Sequence, residues 1–140
     1  MGSKIYISGP LSSIPNSAEL MPLYGAVADA CRSRGHNVFL PHDIKGSHES
    51  PAEVFDRDFF ALSAADILIA FVGLPSSGVG AELGIAFMLQ KRIIALWHLE
   101  QAPSRFLLGL LGFAGASQIQ YDTIETCASA VGQLLSAQES

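Results

Sequence analysis

Asp66-Ile67-Leu68-Ile69-Ala70-Phe71-Val72-Gly73-Leu74-Pro75-Ser76-Ser77-Gly78-Val79-Gly80-Ala81-Glu82-Leu83-Gly84 is the stretch on which the reading of this chain turns. Its first part, Asp66 to Val72, is a short, continuous apolar run of the kind buried on both faces of a parallel sheet. A Gly/Ser segment follows, and Gly80 to Gln90 then reads as a helix. A loop of this composition between a strand and a helix suits an oxyanion or a sugar. Glu82 is expected in the first turn of that helix, at the mouth of a crevice. A Glu there can serve only to complement the helix dipole. The rest of the chain argues for more.

The same alternation extends in both directions. Lys4 to Ser8 is a β-rich run ended by Gly9-Pro10, Asn37 to Leu40 a second strand ended by Pro41, Arg92 to Trp97 a fourth and Gln118 to Tyr121 a fifth. Helices are expected over Ser17 to Arg34, Pro51 to Ala65, Pro103 to Leu111 and Thr123 to Ala137, with Pro51 suited to a first helical position and Thr123 to a cap. Strands alternating with helices predict an α/β, flavodoxin- or Rossmann-like sandwich. Its five-stranded parallel sheet is expected in the order 2-1-3-4-5, with helices on both faces. No repeat or linker divides residues 1–140, which read as one domain.

The chain is 49% apolar and only 15% charged. It therefore reads as well folded, with an apolar surface available for self-association. A net charge of −5 and scattered basic residues argue against a nucleic-acid polymer as partner. No apolar run reaches the roughly 20 residues that span a bilayer, and no leader is evident. A cytoplasmic location without membrane association is expected. Cys31 and Cys127 lack metal-ligand spacing and read as reduced thiols, and no metal or cofactor is called for.

Ligands of such sheets bind beyond the carboxyl ends of the strands. The loops arriving there are Gly9-Pro10-Leu11-Ser12-Ser13, Pro41-His42-Asp43, Leu74 to Gly80, and Trp97-His98. Glu82 is the candidate nucleophile, since a carboxylate attacking an anomeric carbon splits one hard displacement into two easier ones. Asp58, on the helix preceding the third strand, is the candidate partner that protonates the departing group. Two carboxylates in one partly dry pocket drive their pKa values apart. Asp56 reads as a solvated neighbour. Tyr6 lies close enough to the end of its strand for its phenol to reach Glu82 or a substrate oxygen. Ser12, Ser13, Ser76 and Ser77 are candidates for bonding a sugar hydroxyl or a phosphate. His42 and His98 can line the pocket without catalytic roles. Gly78-Val79-Gly80 departs from the dinucleotide fingerprint, because Leu83 stands where its last Gly belongs, and it follows the third strand rather than the first.

With these residues placed, the chain resembles the nucleoside 2-deoxyribosyltransferase family, including its 2'-deoxynucleoside 5'-phosphate N-hydrolase relatives. The resemblance is carried by Ile5-Tyr6-Ile7-Ser8-Gly9-Pro10, the spacing from Asp58 to Ala65-Asp66, and Gly78-Val79-Gly80-Ala81-Glu82-Leu83-Gly84-Ile85-Ala86. It implies that Glu82 takes the glycosyl group, that Asp58 assists at the base or sugar, and that Tyr6 positions the carboxylate. It also implies that Gly9 lets the sugar approach and that Ser76 contacts a 5'-phosphate. Substrate-binding roles extend to Pro10, Leu11, Ser12, His42, Gly78 and Gly80. A homodimer or larger homo-oligomer is implied as well.

The chain departs from both branches of the family. Pro10 and Ser12 replace the Ser and Arg that the nucleotide hydrolases carry, Phe106 to Leu110 is wholly apolar, and no Asn follows Asn37. The resemblance thus implies cleavage of the N-glycosidic bond of a nucleoside or nucleoside 5'-monophosphate, with water or a second nucleobase as acceptor. The alternative is a non-catalytic nucleotide-binding or sensor module on the same fold.

Overall fold

The computed structural model describes residues 2–10, 20–41 and 49–139. In chain order the elements are β1 (Lys4–Ser8), α1 (Leu20–Arg32), β2 (Asn37–Phe39), α2 (Pro51–Ala64), β3 (Ile67–Phe71), α3 (Ser77–Met88), β4 (Arg92–His98), α4 (Arg105–Ala114), β5 (Ser117–Tyr121) and α5 (Ile124–Glu139). The strands form one sheet in the order β2-β1-β3-β4-β5, and every pairing is parallel. Both match the expected architecture.

Burial follows position in the sheet. Every residue of central β3 is buried, whereas edge strand β5 is buried only at Tyr121. Side chains alternate between the faces of a strand. Ile5, Ile7, Ile67, Ile69, Phe71, Ile94 and Leu96 therefore share one core with α1 and α5. Tyr6, Leu68, Ala70, Ile93, Ala95 and Trp97 share the other with α2, α3 and α4. This parity directs Tyr6, and Ser8 two residues on, toward the face that carries Glu82.

Helix ends follow local chemistry. Ser50 caps α2 in a capping box with Glu53, and Pro51 stands at its start. Thr123 Oγ1 accepts from the Thr126 N–H at 3.1 Å at the start of α5. Among the boundaries that differ from expectation, two have a clear local cause. The third helix begins at Ser77 rather than Gly80, because Ser76 accepts from the Val79 N–H and so caps one turn earlier. Glu82 consequently sits in the second turn, Gly78 is helical rather than a loop residue, and Gly80 lies inside the helix rather than at its start. The fourth helix runs to Ala114 through Gly109 and Gly112, where Leu107, Leu108, Leu110 and Leu111 hold it against the sheet. Packing outweighs the glycines' poor propensity, and Gly115 ends the helix at φ +68°.

Candidate functional site

α2 and α3 lie side by side and leave a cleft of about 470 Å³ between them. Val54, Phe55, Asp58, Phe59 and Leu62 line it from α2, and Gly78, Ala81, Glu82 and Ile85 from α3. On each helix these positions recur at helical spacing, so the cleft is the groove between two facing stripes. The small residues Gly78 and Ala81 keep it open. Its volume lies within the range of small-molecule sites. Phe55 and Phe59 stack on each other, ring centroids 5.3 Å apart and planes 13° apart, and present an aromatic wall.

Glu82 reaches from α3 to the end of β1. Its Oε2 accepts the phenolic hydroxyl of Tyr6, and its Oε1 accepts the hydroxyl of Ser8 at 2.9 Å. Tyr6 is fully buried and stacks on Phe39 at 5.3 Å, while Ser8 is 1% exposed. Both donors are thus held by the sheet. Burial raises the Glu82 carboxyl above its ordinary value, the two hydroxyl bonds oppose that rise, and the charge of Asp58 adds to it. Burial, reinforced by Glu82, pushes the Tyr6 phenol well above its usual range, so it remains a proton donor. A carboxylate oriented by two neutral hydroxyls keeps free lone pairs and makes no ion pair among the described residues.

Asp58 faces the same cleft from α2 with 21% of its side chain exposed. Arg57 Nε donates to Asp58 Oδ1 at 2.9 Å, and Arg57 Nη1 also donates to Glu49, another residue of the cleft wall. Asp56 is exposed.

The structure therefore brings Tyr6, Asp58, Glu82 and Gly78 together and separates other expected site residues from them. Ser76 and Gly80 line a second cavity of about 270 Å³ with Pro103, Ser104 and Leu107, on the α4 side of α3. Pro10 is buried on the opposite side of the sheet, where its carbonyl accepts from Tyr24 at 2.8 Å. A Cβ at Gly9 would come within 2.6 Å of the Tyr24 ring, so core packing alone demands glycine there. Both ring nitrogens of His98 are engaged, with the Glu100 N–H and the Asp122 carbonyl, and make it a staple of its loop. Ser77 is exposed. Leu11, Ser12, Ser13 and His42 lie outside the described residues. Cys31 and Cys127 are buried free thiols.

Ser8 was not singled out by sequence reasoning. The available signal was its distance of two residues from Tyr6 on one strand, which puts both hydroxyls on one face.

A model of the nucleoside 2-deoxyribosyltransferase family matches residues 5–130. The chain belongs to the nucleoside 2-deoxyribosyltransferase family. Its relatives in this family are enzymes that act on nucleosides or nucleotides. The chain is similar to a putative 2'-deoxynucleoside 5'-phosphate N-hydrolase 1 of Thermofilum pendens, 33% identical over 110 residues, 72% of each chain. It is also similar to a 5-hydroxymethyl-dUMP N-hydrolase of Danio rerio, 32% identical over 101 residues, 67% of this chain and 68% of the other. Among solved structures, the Clostridium botulinum CMP N-glycosidase BcmB superposes with a TM-score of 0.73 at 20% identity, over 94% of this chain and 98% of that one. A 2-deoxyribosyltransferase of Bacillus psychrosaccharolyticus superposes with a TM-score of 0.65 at 20% identity, over 92% and 96%. These superpositions establish a fold shared with both proteins. No helix among the described residues is long and apolar enough to cross a membrane.

Proposed function

We propose that this protein hydrolyses the N-glycosidic bond of a 2'-deoxynucleoside or its 5'-monophosphate through a glycosyl ester on Glu82. The carrying observation is the Glu82 carboxylate, held by the buried hydroxyls of Tyr6 and Ser8 at the wall of a cleft sized for a small ligand. A carboxylate oxygen attacks C1', the C1'–N bond breaks, and its electron pair leaves with the base. The departing nitrogen gains a proton relayed from solvent through Asp58, whose carboxyl is partly open to water. Water then attacks C1', passing a proton through Asp58 to solvent, and the C1'–O bond electrons return to Glu82. The heterocycle lies against the Phe55–Phe59 pair, whose flat apolar faces suit it. Water is favoured as acceptor because the curated relatives at 27–34% identity are named N-hydrolases.

The large exposed side chains of Phe60, Met88, Phe106 and Phe113 belong to α2, α3 and α4, the three helices that share one face of the sheet. A homodimer through that face would bury them.

Incubation with a panel of nucleosides and 5'-monophosphates, with and without an added free base, tests the reading. Free base from a single substrate is the expected outcome. A new nucleoside formed only when base is added would assign transfer instead. Binding without turnover would assign a binding module.

A further inference from the structure

We propose that Ser8 is a second positioning residue for Glu82, one that favours the free carboxylate over its glycosyl ester and so acts on the second half of the reaction. The proposal rests on Glu82 as nucleophile and goes beyond it by assigning the Ser8 hydroxyl to one stage of the reaction.

Ser8 is the last residue of β1 and is 1% exposed. A strand end that feeds a buried core could carry any small apolar residue here, and its sheet partner is Ala70. The hydroxyl instead donates to Glu82 Oε1 at 2.9 Å, the oxygen that Tyr6 leaves to it. Each carboxylate oxygen thus has its own donor, which fixes the plane of the group as well as its position. Hydrogen bonds to an ionised acceptor are stronger than those to a neutral one. When C1' bonds to Glu82 the carboxylate charge disappears, and the Ser8 bond weakens. When water attacks C1' and the electron pair returns to the carboxylate, the bond strengthens again. By stabilising the free carboxylate, Ser8 therefore assists breakdown of the ester and does not assist its formation.

The groups that face Glu82 are Tyr6 and Ser8 from β1 and Asp58 from α2. Arg57 is turned to Asp58 and Glu49. Loss of the Ser8 hydroxyl removes one of the influences that oppose burial, so the acid limb of kcat/KM moves to higher pH. The shift expected for a lost bond to a charged group is about one to two pH units.

Ser8→Ala and Ser8→Cys are compared with wild type in rapid-quench base release and in the pH dependence of kcat/KM. The substrate is the deoxynucleoside or monophosphate that the panel shows to be turned over. Cys keeps the shape of Ser at a slightly larger size but is a weak donor, so it keeps the test alive should the Ala variant not fold. The expected result in both variants is an upward shift of the acid limb, a lower kcat and a burst of base release before a slower steady state. The burst is accompanied by glycosylated enzyme in the mass spectrum of the quenched protein. Wild-type kcat and limb in both variants would overturn the proposal. So would full recovery in Ser8→Cys alone, which would mark a packing role, or a limb shift without a burst, which would remove the link to ester breakdown. Glu82→Ala separates the levels. Near-normal turnover there sinks the nucleophile itself, whereas a dead Glu82→Ala beside normal Ser8 variants sinks only the role of Ser8.

Discussion

Tyr6 and Glu82 stand 76 residues apart in the chain and share one hydrogen bond, phenol to carboxylate Oε2, at the junction of β1 and α3. The bond joins the sheet to the helix that walls the cleft. It holds a buried carboxylate in place with a neutral donor, so charge is oriented without being neutralised. Tyr6→Phe keeps the ring stacked on Phe39 and removes only that donor. A loss of about 10- to 100-fold in kcat/KM is expected, because the nucleophile loses the donor that holds its Oε2 in place for attack. Thermal stability is expected to change little. Steady-state kinetics beside a melting curve checks both, and an unchanged rate would detach the phenol from the chemistry.

Glu82→Gln tests what the buried charge costs the fold. Burial is the largest influence on this carboxyl and raises its folded pKa above the unfolded value near 4.5. Below that value both states are protonated and the group costs nothing. As pH rises through the window above 4.5, the unfolded chain releases its proton first and stability falls. The melting temperature of Glu82→Gln minus that of wild type should therefore grow from pH 4 to pH 8, while turnover is abolished. A difference that stays flat with pH would contradict the assignment.

Asp58→Asn is expected to slow turnover by about two to four orders of magnitude, the usual scale for lost proton-transfer help. Arg57→Ala leaves the carboxylate in place but releases it from its 2.9 Å partner. About a 10- to 100-fold loss is expected there. Arg57→Lys should recover only part of it, because an ammonium cannot reproduce the fork that reaches Asp58 and Glu49 together. Equal rates for the two Arg57 variants and wild type would show that Asp58 needs no clamp.

Gly78 sits in the first turn of α3 and lines the cleft. A Cβ there would meet nothing nearer than Ser76 Oγ at 3.9 Å. Gly78→Ala should therefore stabilise the protein by about 0.5–1 kcal/mol through helix propensity. Gly78→Val should raise KM by filling the cleft. Chemical denaturation and kinetics on the same preparations separate the two effects, and an unchanged KM for the Val variant would place the substrate elsewhere.

Phe106 and Phe113 are 82% and 90% exposed on α4. Phe106→Glu with Phe113→Glu is expected to turn a dimer into a monomer by light scattering with the fold retained. A wild-type protein that is monomeric at micromolar concentration would refute the proposed dimer face.

Much of the architecture was legible because parallel strands write themselves as apolar runs. Ile67 to Phe71 and Ile93 to Trp97 are buried on both faces and need no tertiary information to be seen. Boundaries set by competing local preferences were harder. Gly78 advertised a loop and Gly80 a helix start, yet Ser76 supplies a cap and α3 starts before both. Gly109 and Gly112 argued for a short fourth helix, yet burial of its leucines carries it to Ala114. Asp58 was legible for a different reason: it lies on the helix that leads into the strand before Glu82, and its spacing to Ala65-Asp66 carries part of the family resemblance.

By itself the sequence determined the order of the strands, the helix that bears Glu82, and the resemblance that made its carboxylate the centre of attention. Those features rest on periodicity and motif, which are local properties of the chain. Only the folded chain decided which side chains meet. It matched Ser8 to the second oxygen of Glu82, pinned Asp58 with Arg57, and sent Pro10, Ser76 and Gly80 to places outside the cleft. The reason is geometric: strand parity and the turn at which a helix starts each move a side chain by several ångströms, and a hydrogen bond tolerates only a few tenths.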